Sequence, residues 1–379
     1  MTLDPASSTP SSNDSVSSSP SEAFGAFLDD SLRDSASTLI RQAGAWAAEV
    51  DAASRTPRPL LEELAGAGLL DLGVEARLAA GPRADDVSAP AALIAALATQ
   101  CMTTAFGLWA HRVVQEYLAR GERSPATEGV LADLRAGRRF GATAMAAGLK
   151  WLAGVGDLAV HAEPQGTGWR LSGFIPWVSL LLEDSVMVVP VRTPQGTIVV
   201  WVPVSQVRVS PVTGLLALDA TASGSVTLDG VAVGAHQVIS TDLAAFARGF
   251  KPTMLALQSS FSVGLIQRSL AESASAADRD GNAVFASDLA RLRDDVEAHR
   301  RRWQALVADV GAASAREILE IRLQASDLAV RATRLEATLA GGRGYRLASG
   351  AARRLREAAF LPVQSPSEGH LRWELSSLD

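Results

Sequence analysis

Apolar residues recur every three or four positions through the first third of the chain, and this spacing predicts helices. The stretch LLEELAGAGLLDLG, residues 60–73, follows the pattern and ends in glycines of the kind that stop helices. A second stretch, TQCMTTAFGLWAHRVVQEYLARG at 99–121, is apolar on most faces up to Arg112, which is typical of a helix buried in a bundle. We therefore expect an N-terminal helical domain at residues 23–138.

The hydrophobic period changes after Gly137. Runs rich in β-branched residues, such as DSVMVVPVRTPQGTIVVWVPV at 184–204, are separated by PQG and DG turn signals. Short runs of this kind between such turns are typical of antiparallel strands. The pattern predicts a middle antiparallel β domain at residues 139–240.

Helical spacing returns at about Asp242 and continues to the end of the chain. One apolar seam runs through Ile321, Ala325, Leu328, Ala332, Leu335 and Leu339. A second runs through Phe285, Leu289, Leu292, Val296, Trp303, Val307 and Val310. Because long helices with such stripes pack against each other, we predict a C-terminal helical bundle at residues 241–379. The fold class is then α+β multidomain, with helical domains on both sides of a β domain.

Composition excludes several classes of function. The net charge is −6 with acidic and basic residues interspersed, so there is no basic field to hold nucleic acid or an anionic membrane. The single Cys101 and the five scattered histidines offer no disulfide framework and no metal-ligand spacing. Residues 1–22 are Ser/Pro-rich, which predicts a disordered tail, and no later apolar run is long enough to span a membrane. We expect a cytoplasmic, metal-free protein.

The end of one predicted strand, near residue 179, carries residues that could bind a planar ring. GWRLSGFIPWVS, residues 168–179, turns at Gly173 and Pro176 and delivers Trp177 and Ser179. An aromatic side chain and a hydroxyl placed there can flank a ring and bond one of its nitrogens. The alternative interpretation is a core tryptophan of a β sandwich.

Three glycines follow the regular seam of the bundle. Gly341, Gly342 and Gly344 sit where a helix stops, so they are either a helix cap or a turn whose backbone amides cradle a phosphate.

The remaining candidate site residues are two histidines and several residues of the proline-interrupted stretch near the C-terminus. His111 lies on an apolar helix, where a histidine is usually a core residue, whereas His370 lies among Ser365, Ser367 and Glu368. Ser365 is also a candidate N-cap of a short last helix, with Glu368 three residues later in a capping box.

Several stretches, in order, resemble landmarks of the acyl-CoA dehydrogenase superfamily. LLEELAGAGLLDLG and MTTAFGLWAH resemble its N-terminal helices, and LRAGRRFGATAMA resembles the segment leading into its flavin-facing strand. GWRLSGFIPWVS is similar to the family pattern G-[YW]-x-[IL]-x-G-x-K-x-W-[IV]-[ST]. SSFSVGLIQRSLAES, LAGGRGY and RRLREA resemble the opening helix, the GG-x-G-Y turn and the R-D-A segment of its C-terminal bundle. The resemblance covers nearly all of the chain after the tail.

This resemblance implies FAD as cofactor and an acyl thioester, such as an acyl-CoA, or a related small molecule as substrate. Under it, Trp177 stacks near the isoalloxazine ring and Ser179 reaches the ring atom N5. The backbone around Thr143 and Met145 contacts the ring edge, and Ser367 joins the cofactor-binding set.

The glycine turn has its own implied role. Under the resemblance, Gly341, Gly342 and Gly344 lie near the dinucleotide portion of an FAD held partly by a neighbouring subunit. This arrangement implies a homodimer or a homotetramer.

The sequence departs from the family pattern at the catalytic base. The usual glutamate of Y-E-G-T aligns with Ser365, and the glutamate that some members carry on the first bundle helix aligns with Met254. Neither residue is a carboxylate, and a serine has too high a pKa to remove an α-proton unaided. Glu368, three residues after Ser365, is the remaining candidate base.

Other family signatures are also altered. The loop T-E-P-x-x-G-S-D is here AAGLKWLAG, residues 146–154, and the glutamine before GG is Thr338. The motif R-x-x-F-G retains only Arg279 and Phe285, out of spacing.

Three functions follow from these signals. The first is a flavin-dependent dehydrogenase with Glu368 as base. The second is a flavin monooxygenase on the same fold, which takes reduced FAD or FMN from a partner flavin reductase, and in which a nearby histidine, His370 or His111, or a hydroxyl steers the peroxide formed with oxygen. The third is a scaffold that has lost the flavin and acts as a binding partner.

Overall fold

The computed structural model describes residues 30–80, 85–279 and 281–378. The predicted tail at 1–22 lies outside these ranges. The predicted order of helices, β sheet and helices is confirmed, with an eight-stranded sheet between two helical parts. The strands all fall between residues 141 and 240.

Within the described residues, six helices precede the sheet. They are α1 (Asp30–Asp51), α2 (Arg58–Gly66), α3 (Val74–Ala80), α4 (Ser88–Ala98), α5 (Met102–Arg120) and α6 (Pro125–Arg135). The central helix α5 is buried along nearly its whole length, as its apolar sequence predicts. It contacts helices of both helical parts and the first strand, so it forms the middle of the molecule.

The sheet carries one short helix between its first two strands. Its elements are β1 (Gly141–Thr143), α7 (Ala146–Leu152), β2 (His161–Gln165), β3 (Gly168–Val178), β4 (Val186–Thr193), β5 (Gly196–Pro203), β6 (Arg208–Pro211), β7 (Gly224–Val233) and β8 (Val238–Ser240). The strand order is β6-β7-β3-β2-β4-β5-β8, and β1 pairs with β4. The pairs are antiparallel except β1 with β4 and β2 with β4, which are parallel.

Five helices of the described part of the chain follow the sheet and form the bundle. They are α8 (Leu243–Ala277), α9 (Ala286–Ala308), α10 (Ala315–Ala340), α11 (Gly350–Phe360) and α12 (Glu368–Ser376). Most residues of the two predicted apolar seams are buried on α9 and α10, which pack against α8. α8 also crosses α4 closely, because Gly264 has no side chain and meets the backbone of Ala95. The helical parts before and after the sheet therefore share one hydrophobic core.

The start of the last helix corrects one prediction. The N-cap of α12 is Ser367, whose hydroxyl accepts the His370 amide, rather than Ser365. The Ser365–Pro366 peptide is cis, and the Glu368 amide donates to the carbonyl of Pro362. The proposed capping box of Ser365 with Glu368 is therefore wrong, and the helix begins later than the sequence predicts.

Candidate functional site

Side chains from β1, α5 and α8 meet at one junction inside the molecule. The Tyr117 hydroxyl lies 3.1 Å from Oγ1 of Thr143 and 3.8 Å from the sulfur of Met254. Tyr117 is fully buried, and burial raises the pKa of its phenol, so the hydroxyl stays protonated. The predicted ring-edge residue Thr143 and the position of the alternative base, Met254, are thus close in space.

The two positions where the family has its carboxylate are also close to each other. The Gln258 side chain donates to the carbonyl of Ser365 over 2.9 Å, and Met254 lies one turn before Gln258 on the same face of α8. The Ser365 hydroxyl and the side-chain nitrogen Nε2 of Gln364 make no hydrogen bond among the residues described. The two positions that align with the family's base therefore lie near each other in this structure, and both side chains are uncharged.

Arg322 connects α8 to the segment before Ser365 through hydrogen bonds. Its Nε donates to Oε1 of Gln258 over 2.7 Å, and one Nη donates to the carbonyl of Leu361 and to Gln364 over 3.1 and 3.3 Å. The side chain is fully buried, and burial lowers the pKa of its guanidinium to about 10, so it is charged at neutral pH. A cation bonded to three neutral acceptors therefore lies behind Ser365.

His370 belongs to a buried acid–base group. Its Nε2 lies 2.8 Å from Oε1 of Glu374, and the other carboxylate oxygen of Glu374 pairs with Lys251 of α8. Burial raises the pKa of Glu374, but the hydrogen bonds of His370 and Lys251 outweigh it and hold the pKa below its usual value. Trp373, on the same face of α12, donates to the carbonyl of Ala153 at the end of α7. This face of α12 is thus turned toward α7 and α8.

Glu368 lies on a different face of α12. Two residues correspond to about 200° around a helix, so Glu368 and His370 point in nearly opposite directions. Glu368 pairs with Arg372 over 2.8 Å, and its side chain is 41% exposed in a groove beside α9 and α10. The structure therefore does not bring Glu368 and His370 together in one site.

The predicted ring-stacking surface is open to solvent. Trp177 is 43% exposed and Phe174, on the same strand β3, is 50% exposed. A planar group can therefore reach the Trp177 indole without displacing core residues. This observation does not support the alternative of a core tryptophan.

Ser179 ends a chain of three hydroxyls with a fixed direction. Oγ1 of Thr221 donates to the carbonyl of Leu218 over 2.8 Å, so its single hydrogen is used. Ser223, 2.7 Å from Thr221, must donate to it, and Ser179, 2.7 Å from Ser223, must donate in turn. Ser179 therefore retains only lone pairs for a further partner.

The backbone around this hydroxyl chain is strained. Leu180, Leu218 and Ala222 all have positive φ, at 64°, 62° and 49°. The amides of Leu180 and Leu181 donate to the carbonyls of Thr221 and Ala222, which holds the exit of β3 in place. Strain of this kind, stabilised by surrounding hydrogen bonds, concentrates at functional sites.

The glycine turn is partly open. A Cβ on Gly341 or Gly342 would meet nothing within 4 Å, and both residues are exposed, whereas Gly344 is buried against Ala340 and Ala351. Gly341 has φ of 61°, the left-handed region that favours glycine. The first two glycines therefore present bare backbone to an approaching group.

Met145 and His111 have structural positions. Met145 is buried as the residue before α7. His111 is fully buried, its Nδ1 accepts the Gly141 amide over 3.1 Å, and its Nε2 lies 2.9 Å from the Gln115 amide. Burial lowers the pKa of His111 to about 3, so it is neutral at physiological pH. We therefore assign His111 to the support of β1 rather than to catalysis.

Buried neutral histidines predict a loss of stability in mild acid. Burial lowers the pKa of His111 to about 3 and that of His299 to about 4, against 6.5 for a free imidazole. Below pH 6.5 the unfolded chain binds protons that the folded chain cannot, so each histidine lowers the free energy of unfolding by up to ~1.4 kcal/mol per pH unit down to its folded pKa. Urea unfolding at about pH 7 and about pH 5 measures this slope. The variant His111→Asn, which keeps an acceptor for Gly141, should unfold with a shallower slope; an unchanged slope would contradict the assignment.

Three members of the site were missed by sequence reasoning. Tyr117, Lys251 and Glu374 lie on helices whose spacing gives no sign of a polar role. Glu374 follows His370 by four residues, which places both on one helix face, and that spacing was the only available signal.

No family model and no curated protein matches the chain. Solved structures do. Butyryl-CoA dehydrogenase from Megasphaera elsdenii aligns with a TM-score of 0.81 over 93% of this chain and 98% of that chain, at 16% identity. The chain has an acyl-CoA dehydrogenase-like fold. A glutaryl-CoA dehydrogenase from Mycobacterium smegmatis in complex with FADH2 aligns at 0.79 over 95% and 97%, with 17% identity. PigA with FAD and proline aligns at 0.78 over 92% and 97%, with 18% identity.

These alignments confirm the acyl-CoA dehydrogenase-like layout inferred from the motifs. They span nearly all of each structure. At such identities the reaction has to be argued from the residues of this chain.

The described part of the chain contains neither a membrane-spanning helix nor a cluster of metal ligands. Among the residues described, no helix is both long and apolar enough to cross a membrane. Within the same residues, histidine, cysteine and acidic side chains form no group that could hold a metal ion.

Proposed function

We propose that the protein binds FAD between the β sheet and the bundle and acts as a flavin-dependent oxidoreductase on a small molecule. The observation that carries the proposal is the exposed Trp177 beside a Ser179 hydroxyl with a fixed direction, in an acyl-CoA dehydrogenase-like fold. Support comes also from the similar structures that contain FADH2 or FAD.

The residues present fit such a cofactor. The half-exposed Trp177 offers a stacking surface, the oxygen of Ser179 offers lone pairs, and the bare backbone at Gly341 and Gly342 lets a phosphate-bearing group approach closely. Thr143 and Ser367 complete the proposed set. When bound, FAD supplies a ring that accepts two electrons from a substrate and passes them on.

The direction of the hydroxyl chain favours one redox state of the cofactor. Ser179 can accept a hydrogen bond but has no hydrogen left to donate. The flavin atom N5 carries a hydrogen only when the ring is reduced. We therefore infer that this row of three hydroxyls stabilises reduced flavin relative to oxidised flavin. Ser179 contacts the flavin, and Ser223 and Thr221 are positioning residues.

We propose His370 as the acid–base residue. Its Nδ1 makes no hydrogen bond among the described residues, and its Nε2 lies 2.8 Å from Oε1 of Glu374, a contact that orients the imidazole. Lys251 neutralises Glu374, so His370 gains a partner without an excess of buried negative charge. Ser365 and Met254 then only shape the space around the substrate.

The aromatic side chains packed behind Met254, between α5 and α8, favour a short substrate. Phe106, Trp109 and Phe261 pack with ring centroids 5.4 to 6.3 Å apart, and Phe360 meets Phe106 at 5.5 Å. Trp109 also donates to the carbonyl of Met254 over 3.3 Å. These aromatic side chains fill the region between α5 and α8, so a long acyl chain could not extend past Met254 without displacing them. Short acyl thioesters, of the size named for the butyryl-CoA and glutaryl-CoA dehydrogenases, are the proposed substrates.

Anaerobic titration with short acyl-CoAs tests this proposal. Flavin-loaded protein should lose its flavin absorption as the substrate reduces the ring. The variant His370→Asn should bleach at least ~100-fold more slowly, because general acid–base catalysis contributes about 10²–10⁴. The matched variant Glu368→Gln, on the other face of α12, should bleach at the normal rate. Slow bleaching of Glu368→Gln with normal bleaching of His370→Asn would return the role of base to Glu368.

A flavin monooxygenase is the second candidate. The observations in its favour are the uncharged side chains at both family base positions and the preference of Ser179 for reduced flavin. In this case substrate alone does not bleach the flavin. Product forms only with oxygen and with reduced FAD or FMN from a partner flavin reductase, and a protein that merely releases hydrogen peroxide would argue against this function.

We also propose a homodimer or homotetramer. The exposed Gly341 and Gly342 have open space beside them that a neighbouring subunit can occupy. Light scattering gives the mass directly, and a monomer that binds FAD fully would contradict the assembly while leaving the oxidoreductase proposal intact.

A further inference from the structure

His370, the proposed acid–base residue, is shut off from solvent. The residue is 4% exposed, and both nitrogens of its ring are buried. An acid–base residue has to come within about 2.6–3.2 Å of the proton that it transfers. A substrate therefore reaches His370 only after some part of the molecule moves.

Helix α12, which carries His370, is lightly held. Of its nine residues only His370 and Leu371 are buried. The segment before it is fixed more firmly, because the side chains of Arg322 and Gln258 donate hydrogen bonds to two of its backbone carbonyls. α12 can therefore swing about a fixed base.

Two side chains near the end of α12 hold it against the rest of the molecule. The indole Nε1 of Trp373 donates to the carbonyl of Ala153, the residue that ends α7, over 2.9 Å. Glu374 pairs with Lys251 of α8, whose long stem is flexible enough to follow a moving carboxylate. The contact that α12 loses when it moves away from α7 is therefore the Trp373 hydrogen bond, which we call the latch.

The latch can open without leaving a buried polar group unpaired. Trp373 is 52% exposed, and no backbone amide within the described residues donates to the Ala153 carbonyl. The chain turns away directly after it, at Gly154 with φ of 71°. Because water can replace the indole at such a helix-terminal carbonyl, the latch favours the closed form by only about 2- to 10-fold.

The burial of Leu371 contributes the other part of the free energy of opening. This leucine is 1% exposed, and full burial of a leucine side chain corresponds to roughly 10- to 150-fold in population. Together with the latch it makes the open form a minor population of about 0.1–5%, which is in the range of minor states that ligands select.

We propose that α12 is a lid over the substrate side of the flavin site and that Trp373 sets how often the lid opens. In the closed form the latch holds α12 against α7 and keeps His370 from water. Opening admits the substrate, and closure brings His370 to it and excludes water. Trp373 is a positioning residue, because it acts through α12 and does not touch the reacting atoms. The inference rests on the proposed function through the role of His370, whereas the motion itself can be measured without flavin.

Labelling with diethyl pyrocarbonate measures the opening in the full chain without flavin or substrate. The reagent transfers an ethoxycarbonyl group to an imidazole nitrogen, which loses its proton, and releases ethanol and carbon dioxide. His161 and His236 are exposed and give the rate of a free ring, whereas the fully buried His111 gives the rate of the core. His370 should be labelled about 20- to 1,000-fold more slowly than His161, yet faster than His111. Labelling as fast as His161, or as slow as His111, overturns the proposal.

Trp373→Phe tests the latch. The variant keeps an aromatic ring and removes the N–H, so His370 should be labelled about 2- to 10-fold faster, with His161 and His111 unchanged. Trp151→Phe on α7 is the matched control, since its 36% exposed indole makes no hydrogen bond in the described part of the chain, and it should be labelled as the unaltered protein is. An unchanged rate in Trp373→Phe overturns the proposal, and so does an equal rise at His111, which would mean that the whole fold is weakened.

Flavin reduction separates the lid from the proposed function. In flavin-loaded protein, reduction at low acyl-CoA concentration should be faster in Trp373→Phe by the same factor, because entry depends on the open fraction. If no acyl-CoA bleaches the flavin while His370 labelling responds to Trp373→Phe, the proposed reaction fails and the lid stands. If the flavin bleaches and the labelling responds but reduction is not accelerated, substrate does not enter past α12 and the proposal is overturned.

Discussion

Gly264→Ala should destabilise the protein by about 3 kcal/mol or more. A Cβ at this position would lie 2.0 Å from the carbonyl oxygen of Ala95 and 2.8 Å from the Cβ of Ala98. The obstacle is the backbone of α4, which cannot move aside as a flexible side chain can. Urea unfolding of the variant measures the loss.

Gly249→Ala is the matched control on the same helix. The nearest atom to its Cβ would be a guanidinium nitrogen of Arg120 at 3.7 Å, an ordinary contact. Because alanine is the better helix former, this variant should be more stable by up to ~1 kcal/mol. If the two variants unfold at the same urea concentration, the close crossing of α4 and α8 is not as described.

Glu116→Gln should cost about 3–5 kcal/mol. The Glu116 carboxylate is 1% exposed and contacts Arg77, Arg112 and Arg120 over 2.9, 3.1 and 2.5 Å. Burial raises the pKa of Glu116, but the three arginines outweigh burial and hold the pKa below its usual value. Glutamine has the same shape without the charge, so the variant leaves buried guanidinium groups uncompensated.

An exposed ion pair serves as the control for Glu116. Glu128 and Arg123 pair over 2.9 Å with side chains 52% and 57% exposed. Glu128→Gln should change the free energy of unfolding by less than ~1 kcal/mol, because exposed pairs contribute little. An equally small effect of Glu116→Gln would show that the arginines find other partners.

Much of the fold could be predicted from periodicity. The seam from Ile321 to Leu339 is regular enough to fix the buried face of α10, and β-branched runs between PQG and DG turns fixed the antiparallel strands. The start of α12 could not be predicted, because Ser365 and Ser367 are both good N-caps and only tertiary contacts, such as the Glu368 amide on Pro362, choose between them.

Residues of the candidate site could be predicted from the sequence only where they belong to a recognisable motif. Trp177, Ser179 and the glycine turn follow recognisable patterns; Trp177, Gly341 and Gly342 are exposed, whereas Ser179 is buried. The partners of these residues come from distant segments, since Lys251 and Glu374 are 123 residues apart and Ser179 and Ser223 are 44 apart. Contacts at such separations depend on how the domains pack and leave no local pattern in the sequence.

Binding of FAD tests the central claim most directly. Titration of the purified protein with oxidised and with reduced FAD, followed by absorption and by tryptophan fluorescence, gives both affinities. The account predicts saturable binding of both forms, tighter for reduced FAD, and a loss of at least ~10-fold for Trp177→Ala, since stacking on an aromatic ring contributes about 1–3 kcal/mol. Absence of saturable binding of either form, or unchanged binding by Trp177→Ala, would contradict it.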